Sequence, residues 1–314
     1  MLKLNKNLDS NVNEDFKNVV NKDEDNVFYT SDLLNYYEQK EYIKYTEKFI
    51  GVDIAVNLTY FKEDLQNEIM IRSFSKGILP VLVGMDKDSN AKVIELAKKY
   101  KTFCYVGYHP NHIETCEISQ ENVNVKEKIN ILKNLIKEDV VIGVGECGLD
   151  FCRNTNKEEQ IEWFKEQLKI NTKKPYFLHM RDAFEDFINV IKPYKEKLKN
   201  SVVHSFTGTV DEARYLLDFG LKIGINGCSM KDSVELVKEI PLDDLLIETD
   251  SPFCLIRKKY AAADYCQIIK AKSNEPALLE NVAEAISSIK NISKEKVFEK
   301  GKVNFIKCYL SHLI

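Results

Sequence analysis

The chain reads as a single (β/α)8 barrel of the α/β class, and three observations lead there. Eight short β-rich runs recur after Phe49, each followed by a longer stretch of helical periodicity. Most of these runs are near-continuously apolar, as strands buried on both faces of a parallel sheet are. No G-x-G-x-x-G follows an early strand to support a two-domain dinucleotide-binding alternative. With 314 residues and 44% apolar content, the chain is long enough to fill one barrel of the larger kind.

Taken in order, residues 1–30 are rich in Asn, Asp, Lys and Glu and poor in large apolar groups. They cannot offset the entropy of ordering and read as a flexible arm. Residues 31–50 read as a helical appendage. There Leu33, Leu34, Tyr37, Tyr42, Ile43 and Phe49 recur at helical intervals, with Ser31 or Asp32 available as N-cap.

The barrel itself is expected over 51–314. Its strands are GVDIAVNL from Gly51, ILPVLVGM from Ile78, FCYVGYH from Phe103, VVIGVGE from Val140, PYFLHM from Pro175, VVHSF from Val202, LKIGING from Leu221 and LLIETD from Leu245. Helix ends are marked between them. SNAKVIELAKKY starts with Ser89 as N-cap and puts Val93, Ile94 and Ala97 on one stripe, while Thr209 to Glu212 form a capping box and Gly220 stops that helix.

A net charge of −4 argues against a protein that coats nucleic acid, although a local basic patch can hold a polyanion beside an acidic remainder. The eight cysteines have no C-x-x-C pair and no secreted mini-protein spacing, which favours a reducing, intracellular setting. There is no apolar run of signal-peptide or membrane-spanning type, so the expected location is cytoplasmic or nuclear, with export by an unconventional route left open and no membrane partner. No obligate protein partner is implied.

A barrel of this kind builds its site at the C-terminal ends of its strands. The first strand ends near Asp53 and Asn57, the third at His109, the fourth at Glu146, the fifth at His179 and Arg181, the sixth at His204, and the eighth at Glu248 and Asp250. Asp150 falls one turn beyond Glu146, in the loop. Singly, each histidine is as readily a hydrogen-bonded core residue. Together with Glu146 and Asp250 on one rim, they suit a divalent ion of the Zn, Mn or Mg kind. A central carboxylate can bridge two ions about 3.5–4 Å apart, the arrangement used for phosphodiester cleavage.

Glu146 is the expected metal ligand, and Gly145 and Gly148 beside it leave room for metal and phosphate to approach. Asp150 either orients the loop or a ligand histidine, the favoured reading, or coordinates the ion directly, and Asp250 is a ligand or general base. Arg153 and Arg181 can reach a substrate phosphate or pair with rim carboxylates. Arg257, Lys258 and Lys259 add charge that can follow a nucleic-acid backbone, though such a run alone is usually a solvated loop.

Seven segments in order, DIAVNLT at Asp53, GYHP at Gly107, GVGECGLDF at Gly143, FLHMRDA at Phe177, VVHSFTGT at Val202, LLIETDSPF at Leu245 and NEPALLENVAEAI at Asn274, resemble the TatD family of metal-dependent deoxyribonucleases from about Gly51 to Tyr309. The resemblance implies a TIM barrel of the metallo-dependent hydrolase type that cuts DNA with divalent metal, two ions of Mg2+, Mn2+ or Zn2+. It implies Glu146, His179, His204 and Asp250 as metal ligands, Glu146 bridging, and His109 contacting the substrate phosphate.

One departure concerns the first strand. Where many members carry H-x-H, the chain has Asp53 and Asn57, an oxygen-rich subsite that would favour harder ions and that could also face substrate through Asn57. His112 matches the pattern only loosely and is not expected to be a ligand. The first fifty residues have no counterpart in the family.

Two other readings remain open at this level. A barrel amidohydrolase acting on a small cyclic amide or nucleobase calls for H-x-H after the first strand and a lysine ending the fourth, and the chain has neither. A binding module that keeps the fold without catalysis is opposed by every ligand candidate outside the first strand being present.

Overall fold

The computed structural model describes residues 39–113, 123–152 and 156–311. The arm expected over 1–30, the first part of the helical appendage, Arg153 and His312 lie outside them. All eight expected strands are present: β1 (Gly51–Val56), β2 (Ile78–Val83), β3 (Phe103–Val106), β4 (Val141–Asp150), β5 (Tyr176–Arg181), β6 (Val202–His204), β7 (Lys222–Ile225) and β8 (Leu245–Ile247). They form one sheet in sequence order, every paired neighbour parallel, which makes the fold the (β/α)8 barrel.

Helix α1 (Gln39–Glu47) precedes the barrel. Between the strands run α2 (Glu63–Ser75), α3 (Lys87–Tyr100), α4 (Val123–Leu135), α5 (Lys157–Leu168), α6 (Phe184–Ile191), α7 (Val210–Phe219) and α8 (Glu235–Glu239). After β8 come α9 (Leu279–Lys290) and α10 (Lys294–Phe305). No helix among the described residues is long and apolar enough to cross a membrane.

Helix α7 is bounded as its sequence specifies. Thr209 Oγ1 accepts from the Glu212 N–H at 3.2 Å, the Glu212 carboxylate accepts from the Thr209 N–H at 2.7 Å, and Gly220 closes the helix at φ 103°. Helix α3 starts earlier than expected. Asp86, not Ser89, is its N-cap, and Ser89 sits at the third helical position, where its hydroxyl accepts from the Asp86 N–H at 2.9 Å. A serine can fill either place in a capping box, so the sequence alone leaves the register open by three residues.

Helix α1 lies across the N-terminal end of the barrel. Tyr42, Tyr45 and Phe49 are buried there. The Tyr42 hydroxyl donates to the Asp139 carbonyl at 3.1 Å, and that of Tyr45 donates to the Lys101 carbonyl at 2.6 Å, both acceptors standing just before strands. Each buried ring contributes about 1.5–3 kcal/mol of burial free energy, so the helix is part of the folded body at the end opposite the strand C-termini. Within the barrel Tyr105 and Phe177 stack at 4.3 Å, with Tyr309 5.0 Å from Tyr105. His204 stacks on Phe177 at 4.4 Å, so these rings form an aromatic floor beneath the mouth.

Two strand-level findings differ from expectation. Strand β4 continues through Glu146 to Asp150, so Asp150 ends a strand instead of lying in a loop. The register of β4 on β5 shifts between Val144 and Cys147, which admits Glu146 into the mouth without ending the pairing. Gly145 and Gly148 make room for strand β5, not for a ligand. A Cβ at Gly145 would stand 2.2 Å from the Phe177 carbonyl oxygen, and one at Gly148 would stand 1.9 Å from that of His179; both glycines have φ near 150°.

The seam between β8 and β1 is joined by single contacts. Val56 bridges Ser251, and the Asn57 N–H donates to the Ser251 carbonyl at 2.9 Å. Deeper in, Asp53 accepts from both the backbone N–H and the hydroxyl of Thr249.

Candidate metal centre at the barrel mouth

The C-terminal ends of the strands open into a cavity of about 910 Å³ whose lining includes Asn57, His109, Glu146, His179, His204 and Asp250. Three mouth loops turn through left-handed residues that are not glycine: Asp182 at φ 52°, Ser205 at φ 47° and Asp250 at φ 52°. Each such position costs of order 1–3 kcal/mol, so the surrounding fold must hold it, and such positions gather at functional sites.

Glu146 is the centre of the arrangement. Its Oε1 lies 2.6 Å from His204 Nε2, 2.7 Å from His179 Nδ1 and 3.2 Å from His109 Nε2. One carboxylate oxygen thus faces nitrogens delivered by β6, β5 and the loop after β3. All four side chains are buried or nearly so. Burial alone would raise the Glu146 carboxyl, but the charges of His204 and His109 hold it well below the usual carboxylate range.

The histidines divide under the same forces. Burial lowers all three, and in His109 it wins, leaving that ring at about 4. In His204 the charges of Glu146 and Glu248 overcome burial and raise it well above its ordinary value. His179 is raised as well, by Asp150 and Glu146.

Several buried polar atoms in this cluster lack a hydrogen-bond partner among the described residues: His179 Nε2, His204 Nδ1, Glu248 Oε2 and Asn57 Oδ1. His179 Nε2 and Asp150 Oδ2 are 3.4 Å apart, and His204 Nδ1 and Glu248 Oε1 are 3.5 Å apart, separations at which attraction persists but a good hydrogen bond is not made. Leaving such atoms bare is costly; His204 Nδ1 and Glu248 Oε2 lie behind the mouth, while Asn57 and His179 line the cavity, whose nitrogen and oxygen donors fit a divalent cation. Donor atoms of His109, Glu146 and His179 all fall within 4.8 Å of one another, close enough to hold one ion. His109, which the resemblance cast as a phosphate contact, thus stands close enough to join the ligands, although the donor atoms of Glu146, His179 and His204 lie closer together, at 2.6, 2.7 and 3.4 Å.

Asp250 lines the same cavity but is engaged on both oxygens, Oδ1 by the Asn57 amide at 2.9 Å and Oδ2 by the Cys254 thiol at 3.3 Å. Burial pushes its carboxyl up to about 7 against the pull of His204, with Glu248 and Glu146 adding to the rise. Asp150 accepts from the Asn111 amide at 2.7 Å and from the Cys152 N–H at 3.0 Å while facing His179.

The first-strand subsite is corrected. Asn57 reaches the cavity, but the Asp53 carboxylate is committed to Thr249 at 2.8 and 2.5 Å and serves the seam. Asp53 also stands four residues before Asn57, whereas an H-x-H pair ending at Asn57 would begin at Ala55, which carries no donor.

Arg181, exposed at the end of β5, lines the cavity, as does Lys259, whereas Arg257 and Lys258 are outside its lining. His112 has Asp86 Oδ2 at 3.1 Å from Nδ1 and the Tyr60 hydroxyl at 3.0 Å from Nε2, so both ring nitrogens are occupied. Glu248 received no role from the sequence. It is fully buried behind His204, and its Oε1 accepts from the Ser205 N–H at 2.7 Å and the Asn226 amide at 2.9 Å. The cue was available: it directly follows the apolar run of β8, where an unpaired carboxylate is costly.

Comparison with known proteins bears on this geometry. Residues 52–310 match the family model described as TatD related DNase. The chain is 46% identical over 261 residues to the TATDN1 homolog of Enterocytozoon bieneusi, covering 82% of this chain and 94% of that protein. It is 35% identical over 249 residues to the 3'-5' ssDNA/RNA exonuclease TatD of Yersinia pseudotuberculosis, covering 75% and 90%. The crystal structure of a TatD family hydrolase from Entamoeba histolytica superposes with a TM-score of 0.73 at 27% identity, covering 82% of this chain and 97% of that one.

Proposed function

The chain belongs to the TatD related DNase family, and on that premise we propose that it is a metal-dependent deoxyribonuclease that hydrolyses DNA phosphodiester bonds at the barrel mouth. The observation that carries this reading is one buried carboxylate oxygen, of Glu146, facing imidazole nitrogens of His109, His179 and His204 within 3.2 Å. Two ions of the Mg2+, Mn2+ or Zn2+ kind are proposed. When bound, they supply positive charge for the phosphate and acidify water.

The protein's own groups take the remaining roles. Glu146, His179 and His204 hold the ions, His109 completes the cluster or meets the phosphate, and Asp150 and Glu248 keep His179 and His204 turned toward it. Asp250, with its carboxyl raised to about 7, accepts the proton that the attacking water gives up. Arg181 steadies the substrate phosphate from the rim, and Asn57 holds Asp250 in place while facing the substrate. Arg153, outside the described residues, is proposed to act with Arg181.

The test is DNA cleavage by metal-replete protein with and without chelator, beside Glu146→Ala. Wild type should cut and both controls should be inert. Hydrolysis of a cyclic amide with no action on single- or double-stranded DNA would overturn the reading.

A further inference from the structure

Seven large apolar side chains are exposed among the described residues, and only two of them, Tyr60 at 47% and Phe253 at 46%, line the mouth cavity. They come from opposite sides of the seam, Tyr60 three residues after Asn57 and Phe253 three residues after Asp250. Their rings meet edge to face, with centroids 5.3 Å apart and planes at 74°. Both are held from behind. The Tyr60 hydroxyl is tied through His112 to Asp86. The Phe253 backbone is fixed by its N–H donating to the Asp250 carbonyl at 2.9 Å and by the Asn274 amide donating to its own carbonyl at 2.8 Å.

From this we infer that Tyr60 and Phe253 form a stacking subsite for one nucleobase next to the phosphate being cut. The inference rests on the nuclease reading and adds what the metal cluster cannot supply, a preference for how the strand is presented. A rigid corner of two rings offers one face and one edge, which suits a flat aromatic ligand and is indifferent to which base it is. Arg181, Lys231 and Lys259, all exposed on the same cavity, provide charge for the attached backbone. A base can lie against Phe253 only after leaving its neighbours in the strand, so the subsite selects single strands and frayed ends over intact duplex.

The test pairs removal of the ring with removal of the base. Phe253→Ala should raise KM for a single-stranded oligodeoxynucleotide about 5- to 150-fold, as expected for loss of one base–aromatic stack, with kcat changed far less. Phe253→Trp should restore KM. Replacing the nucleotides flanking the cut by abasic ones should raise KM for wild type in the same way and shrink the Phe253→Ala penalty to about twofold or less. An equal penalty on intact and abasic strands, or no penalty on either, overturns the stacking subsite.

Fluorescence anisotropy of a labelled single strand on chelator-treated protein separates the two readings. If wild type bound the strand more tightly than Phe253→Ala but cut nothing when metal was restored, the nuclease reading would fail and the stacking subsite would stand. If wild type cut DNA yet bound no better than Phe253→Ala, the subsite would fail alone.

Discussion

Thr249 grips Asp53 at two points across the barrel seam, its backbone N–H on Oδ1 at 2.8 Å and its hydroxyl on Oδ2 at 2.5 Å. Both residues are fully buried, and burial pushes the Asp53 carboxyl well above its usual range while the Thr249 hydrogen bonds pull it back. The contact joins β8 to β1, where the described structure has only an isolated bridge in place of a continuous ladder.

Thr249→Val keeps the shape of the side chain and removes the hydroxyl, leaving Asp53 Oδ2 and the Ser251 N–H without that partner. A loss of about 1–3 kcal/mol in unfolding free energy is expected, read by chemical denaturation. Metal affinity of the folded variant should stay within about threefold of wild type. A large loss of metal binding with unchanged stability would return Asp53 to the metal centre.

Glu146→Ala should lower DNA cleavage by more than about a thousandfold, because it removes the oxygen on which three imidazoles converge. Far-ultraviolet circular dichroism should be unchanged, since the barrel strands pair through backbone groups on either side of this residue. Retained cleavage in that variant would move the catalytic centre elsewhere.

Metal uptake should release protons. Burial tends to lower His179 and His204, but the neighbouring carboxylates raise both above the ordinary imidazole value, so the metal-free site holds protons that a cation must displace. Affinity therefore rises with pH until both rings are neutral, and falls as pH drops and they are protonated. His109, at about 4, adds nothing near neutrality. Calorimetric titration at pH 7 in two buffers of different ionisation enthalpy should show about one to two protons released per site filled. No buffer dependence would contradict the assignment.

Glu248→Gln should weaken metal binding about 10- to 100-fold with the ligand set intact, because it removes the charge facing His204 Nδ1. Titration of metal into the chelator-treated variant measures it. Wild-type affinity would mean that His204 is held by its stacking on Phe177 alone.

Asp250→Asn should remove the acid limb of the pH–kcat/KM profile. The carboxyl, raised to about 7 in the metal-free protein, is protonated and unable to accept a proton below its pKa, and a neighbouring cation moves that limb to lower pH. An unchanged limb in the variant would assign it to another group.

Much of this molecule was legible before any coordinates, and the limits are specific. Strand positions followed from apolar runs because both faces of each strand are buried, and three of five histidines at predicted strand ends marked the mouth. The N-cap of α3 was displaced because Ser89 and Asp86 are both capping residues, and only the backbone says which stands outside the helix. Glu248 and Asp250 share one strand end in the sequence, yet one faces the back of His204 and the other meets Asn57 and Cys254.

Residue type and periodicity by themselves determined the barrel and the end of it that carries chemistry, and they put His109, Glu146, His179, His204 and Asp250 together on its rim. Those properties depend on apolar runs buried on both faces and on the polar residues that end them, which are local to each strand. Tertiary structure alone decided that Asp53 closes the seam, that Gly145 and Gly148 admit β5, that His109 Nε2 stands 3.2 Å from Glu146 Oε1, and that Tyr60 meets Phe253. Each of these is a distance between segments far apart in the chain, set by how strands tilt and shift against one another when the sheet closes, and no local pattern encodes it.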